Sequence, residues 1–165
     1  MQNITIVSTR FDENTWNQNI SYRKKHGEIG CIYGSPKPIS QKILIHSLLF
    51  VVEMNNAKNQ IEGIGLIRNF PKINRYIYTI GNFNRYTYQG KYRLNRDELL
   101  NMNKKLVECL DYILFKEKTH MKRGSGLTTV PEKLMKHRIM EEMDVKKEIC
   151  DLFRDVYKNM NKEEI

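Results

Sequence analysis

Apolar and polar positions change their period near the middle of the chain. Residues 2–8 are β-branched and alternate, which predicts a strand. Asn14 or Thr15 then caps a predicted helix that runs to about Lys25 and stops at Gly27. Residues 28–33 read as a short strand closed by the Gly34-Ser35-Pro36 turn. Residues 43–54 form a long bent strand or a strand pair, 55–59 a polar turn, and 60–68 the returning strand. Gly63 and Gly65 interrupt that last alternation, the mark of a bulge or of another backbone close by. Residues 75–80 and 86–94 predict further strands. From residue 97 the period becomes helical. Leu99, Met102, Leu106, Leu110 and Ile113 make one stripe, and Asn95 with Glu98 has the spacing of a capping box. Residues 116–130 read as a polar loop, and Pro131 opens a short helix. Val145, Ile149, Leu152, Phe153, Val156 and Met160 mark a last amphipathic helix, with Met135, Met140 and Met143 as core filler. Strands first and helices after predict an α+β fold: a β-rich core over 1–96 with a helical extension, 97–165, packed on the same domain.

Composition narrows the class. At 165 residues and 40% apolar, the chain can bury a core and is not a disordered polymer. Its most apolar stretch, 43–54, contains His46, Ser47 and Glu53 and falls short of the roughly 20 residues of a membrane span, so no membrane partner is expected. No secretory leader is expected from the first residues. Cys31, Cys109 and Cys150 are odd in number and far apart, which argues for a reducing, intracellular, cytoplasmic setting. Abundant Asn, Lys, Ile and Tyr is the bias of an AT-rich genome, as in some large DNA viruses, where the setting would be host cytoplasm or virion.

The placement of charge says more than the net +9. Residues 63–96 carry seven basic side chains and no acidic one, together with seven aromatics, and residues 116–138 carry seven basic and two acidic. Residues 139–165 are net acidic, with eight carboxylates against five cations, which offers a protein partner an acidic helix. Cations neutralise phosphates and tyrosine rings stack on bases, so the first block points to nucleic acid; the alternative is a tyrosine-rich sheet with a solvated basic face. Arg75, Arg85, Lys91 and Arg93 are the expected phosphate grips, Tyr76, Tyr86 and Tyr88 the stacking rings, and Lys122 with Arg123 a second phosphate contact. Tyr86, Tyr88 and Tyr92 share one strand parity and Arg85, Lys91 and Arg93 the other. A simple strand separates rings from charges, and Gln89-Gly90 is expected to break the alternation and bring both sets to one solvent surface.

Catalytic signals are weak. The four histidines lack ligand spacing, and His46, on an apolar stretch, reads as a core histidine. Gly124-Ser125-Gly126 lacks a P-loop pattern; it reads either as a basic loop able to approach phosphate or as a solvated connection. No GxSxG elbow occurs, and Asp97-Glu98 and Glu141-Glu142 suit helix starts. No enzyme, cofactor or metal is expected.

The run Ile4-Thr5-Ile6-Val7-Ser8, followed by Thr15-Trp16-Asn17-Gln18-Asn19, resembles the opening of the PUA-like superfamily, its EVE and YTH branches above all. The segments 49–54 and 61–67, with their Gly-x-Gly second strand, look like that family's central hairpin, and the resemblance spans roughly 2–94. It implies a curved sheet or open barrel that binds RNA or modified nucleotides without chemistry. It also implies that Trp16 stands where one wall of an aromatic cage sits, with Tyr76 or Tyr78 as another. A single Trp excludes a multi-tryptophan cage, and Trp16 reads equally as a core anchor. The leading expectation is therefore a non-enzymatic nucleic-acid-binding domain, RNA before DNA. The rival is a structural or interaction protein of a virion or ribosome, docking through its basic surface. A nuclease would need a carboxylate cluster that the acid-free block cannot itself provide.

Overall fold

Two strands buried on both faces organise the chain. β3 (Leu48–Asn55) and β4 (Gln60–Arg68) pair antiparallel in the middle of a five-stranded sheet and are nearly continuous runs of apolar residues, as such strands must be. The computed structural model describes residues 4–160 apart from residue 117, so residues 2 and 3 of the expected first strand and 161–165 of the helical extension lie outside the described residues. β1 (Thr5–Phe11) runs parallel to β3, and β6 (Tyr92–Asn95) is antiparallel to β4. β7 (Thr128–Thr129) closes the other edge against β1, giving the order β6-β4-β3-β1-β7. β2 (Cys31–Ser35) and β5 (Tyr86–Gly90) form a separate two-stranded sheet. The protein is thus mixed α and β, and the large sheet does not close into a barrel.

Side chains of the sheet alternate between two cores. Phe50, Val52, Ile64 and Leu66 face a core covered by α2 (Arg96–Asp111) and α4 (Val145–Val156), where the Phe50 and Phe153 rings lie 5.0 Å apart. Leu49, Val51 and Ile67 face the other, covered by α1 (Glu13–Lys25) and the β2–β5 pair. A short helix α3 (Glu132–Met135) follows β7. None of the described helices is long and apolar enough to cross a membrane.

Several expectations are corrected, each for a local reason. α1 is capped by Asp12, whose carboxylate accepts from Thr15 N at 2.8 Å while Thr15 Oγ1 accepts from Asp12 N at 3.0 Å. Residues 75–80 form no strand, because side chains satisfy their backbone: Asn84 Oδ1 accepts from Ile77 N and Tyr78 N, and Gln18 Oε1 from Thr79 N. The 86–94 strand divides at Lys91, and its halves join different sheets. α2 kinks at Asn103, whose Oδ1 recaps the helix at Leu106 N, so Met102 leaves the apolar stripe and is exposed. His46 lies at an exposed turn with φ +69°, stacked on Phe70, and not in the core. The 116–130 loop contains β7.

Candidate nucleic-acid interface

The glycines of β4 make room for a buried polar cluster. Glu53, Gly63, Gly65 and Arg93 all point to the α1 side of the sheet, and Arg93 reaches from β6 across the glycines to Glu53. Nε and Nη2 of Arg93 donate to the two carboxylate oxygens at 2.9 and 2.7 Å, and the Tyr33 hydroxyl donates to Oε2 at 2.6 Å. A Cβ at position 63 would stand 2.8 Å from Arg93 Nη2 and 2.9 Å from Glu53 Oε1, and one at 65 would collide with the Tyr33 hydroxyl. Burial works against the Glu53 charge, but Arg93 and the Tyr33 hydroxyl outweigh it and hold the carboxyl below its ordinary value. Burial pushes the Cys31 thiol up to about 12, so it stays protonated and unreactive. Trp16 roofs this cluster. Its half-buried ring packs edge-on against Phe11 at 5.1 Å, with the guanidinium groups of Arg23 and Arg93 at 5.5 and 5.9 Å.

Beside it, at the end of β1, lies a cleft of about 130 Å³, smaller than the sites that take drug-sized molecules. Phe11, Tyr78 and Phe83 give it an aromatic lining, and Arg10 with the Gly124-Ser125-Gly126 loop forms the opposite side. Tyr78 is fixed by Asn19, whose Nδ2 donates to the tyrosine oxygen at 3.0 Å, and burial pushes its hydroxyl up to about 12. Arg10 Nη1 donates to Met121 O at 3.0 Å and Thr128 Oγ1 at 3.1 Å, and Nη2 to Gly126 O at 2.6 Å. Among the described residues only neutral oxygens hold this cation, its Nε is buried without a partner, and burial draws its pKa down to about 10. At neutral pH it remains charged, so the cleft carries a positive wall.

The two loop glycines have separate structural reasons. A Cβ on Gly124 would stand 2.7 Å from the Arg10 guanidinium carbon, and Gly126 has φ +74° and packs on Ser35 Oγ. Gly126→Ala is therefore expected to cost at least about 1–2 kcal/mol from the left-handed backbone alone, measured as a lower midpoint in urea denaturation.

The sequence-predicted site residues do not form one surface. Arg93 is ion-paired inside the fold, which corrects the expectation that it faces solvent with Arg85 and Lys91. Tyr88 is 1% exposed, its hydroxyl accepting from Ile39 N, so its ring cannot stack on a base. The Gln89-Gly90 break does not merge rings and charges on one face; it carries the chain from one sheet to the other, with Tyr88 and Tyr92 in opposite cores. Arg85 is exposed over the half-buried Tyr86 ring at 5.8 Å, and Lys91 is exposed over Tyr92. Tyr76 is 76% exposed beside Arg75. Lys122 and Arg123 are exposed on the loop that borders the cleft, Lys122 bonded to Asn59 Oδ1. Trp16 does not line the cleft but stands behind Phe11. Arg10 and Phe11 belong to the site without any sequence signal beyond a lone arginine inside an otherwise uncharged strand, and Phe83 only as one of the seven aromatics of the 63–96 block. Among the described residues no three His, Cys, Asp or Glu side chains gather as metal ligands. Compared with known proteins, the chain matches no protein-family model and no curated protein.

Proposed function

We propose that this is a non-enzymatic nucleic-acid-binding domain, for RNA before DNA, which seats one base in the cleft and holds the adjoining phosphates with Arg123, Lys122 and Arg85. The observation that carries the reading is the cleft itself. The half-buried Phe83 ring, with the nearly buried Phe11 and Tyr78 as floor, shares it with a cation that no carboxylate among the described residues neutralises, beside a loop with two further exposed cations. A distant kinship with the PUA-like superfamily, EVE/YTH branch, is part of the proposal. It is supported by the parallel β1–β3 pair bridged by α1 and by the β3–β4 hairpin with its two glycines. The aromatic lining is then Phe11, Tyr78 and Phe83, with Trp16 bracing it from behind. Three buried free thiols suit the reducing, cytoplasmic setting that goes with this reading.

Fluorescence anisotropy of labelled single-stranded RNA against log salt tests it. Replacing Arg85 and Arg123 with alanine is expected to lower the slope by about 1.4, at about 0.7 for each single-strand phosphate that is no longer neutralised. Both side chains are exposed, so circular dichroism should show the fold unchanged. An unchanged slope contradicts the assignment.

One observation favours the second reading, a docking protein. Leu44 and Ile45 are 79% and 71% exposed at a turn held by Asn69 Nδ2, which donates to the carbonyls of Ile43 and Leu44. If this tip is the working surface, Leu44→Ser with Ile45→Ser abolishes association with a partner and leaves RNA binding absent in both forms.

A further inference from the structure

We propose that the cleft is one end of a track for single-stranded nucleic acid that runs along the outer side of α1, with Tyr76 and the Tyr22–His26 pair as its second stacking platform. This rests on the nucleic-acid reading of the cleft. Two grooves, of about 500 and 440 Å³, lie between α1 and the 74–79 segment and share Tyr22, His26 and Tyr76. Tyr22 and His26 sit one helical turn apart, both half-buried, and stack on each other at 4.2 Å with their planes 27° apart, so a base would add to the outer end of a preformed stack. Tyr76 adds a ring that is 76% exposed.

The 74–79 segment runs antiparallel alongside α1 and is held by side chains of the helix. Gln18 both donates to Thr79 Oγ1 and accepts from Thr79 N, each at 3.1 Å, and Asn19 holds Tyr78. The cleft and the first groove lie at neighbouring positions along these bonds, with Thr15 and Tyr78 lining the cleft and Gln18 and Ile77 the first groove. From Thr15 to Tyr22 is about 10 Å along the helix at about 1.5 Å per residue. Lys25 and Arg75 line the grooves as phosphate contacts; Glu28, at the far end, is the one carboxylate among the lining residues. Stacking platforms joined by cations suit unpaired bases, because a duplex hides its ring faces.

Adenosine monophosphate, the adenylate hexanucleotide and, as the duplex, a G·C-paired RNA hairpin are titrated by calorimetry against the wild type, Tyr22→Ala, Tyr76→Ala and Tyr76→Phe. The single-stranded hexanucleotide is expected to bind the wild type more tightly than the mononucleotide. Tyr76→Ala should weaken it about 5- to 150-fold, the equivalent of the ~1–3 kcal/mol of one stacked base. Tyr22→Ala should weaken it as well, Tyr76→Phe should retain binding, and the mononucleotide should bind all four proteins alike. Tyr76 is exposed, so its alanine variant keeps the fold. Hexanucleotide binding that both alanine variants leave unchanged, or a duplex bound as tightly as the single strand, overturns the track and leaves the cleft reading standing. A wild type that binds neither the mononucleotide nor the hexanucleotide overturns both.

Discussion

Arg93→Met is expected to destabilise the protein by about 3–5 kcal/mol, because it leaves the Glu53 carboxylate buried without its cation. Glu53 is 1% exposed and the Arg93 side chain lies over the β4 glycines beneath Trp16, so water cannot replace the missing partner without opening that packing. The double variant Glu53→Gln, Arg93→Met removes both charges and should recover most of the loss. The pH dependence changes sign with the variant. In the wild type the Glu53 carboxyl sits below its ordinary value. Its contribution is therefore fully present above the unfolded carboxyl pKa of about 4.3 and is lost as pH falls through the folded one. Without Arg93, burial is the largest effect on the carboxyl; the Tyr33 hydroxyl and, at longer range, Arg23 still oppose it, and the carboxyl is expected to rise above about 4.3. Stability is then highest below that value and declines as pH rises through the folded pKa. Urea midpoints between about pH 2 and about pH 8, a range that reaches below the depressed wild-type carboxyl and above the raised one of the variant, check both signs. An Arg93 variant as stable as the wild type would show that the Glu53 pair is not a fixed part of the interior.

Phe153→Ala carries the second large effect, also about 3–5 kcal/mol. Phe153 is fully buried, packs on Phe50 of β3 at 5.0 Å and touches Tyr157, whose hydroxyl donates to Arg93 O on β6. The loss should appear as one transition in which strand and helix signals melt together, since β7, which follows the first helix of the extension, pairs with β1. Two separate transitions, with the sheet surviving loss of the helices, would contradict this coupling.

Much of the fold is legible where local chemistry decides it. β4 follows from β-branched residues after a polar turn, and the start of α2 from the Asn95–Glu98 box, realised with bonds of 3.1 and 2.9 Å. What is not legible depends on partners distant in sequence. The 75–80 segment has strand composition, but Asn84 and Gln18 satisfy its backbone, and no pattern within the segment announces that. Arg93 has the parity of a surface cation; its orientation is set by Glu53, forty residues earlier, across two positions without side chains. The cleft is half legible. The Gly-Ser-Gly loop stands out in the sequence. Arg10, 116 residues before Gly126, reaches it only through the β1–β7 pairing, and Phe83 only through the 3₁₀ turn at Gly81–Asn84.

Ultraviolet crosslinking of single-stranded RNA, with the adducts mapped by mass spectrometry, tests the central claim most directly. Adducts are expected on Phe11, Tyr78 or Phe83 and on the peptide that carries Lys122 to Gly126, the residues around the cleft. Adducts confined to the Leu44–Ile45 tip and Phe70, or none at all under conditions where a known RNA-binding protein crosslinks, would contradict it.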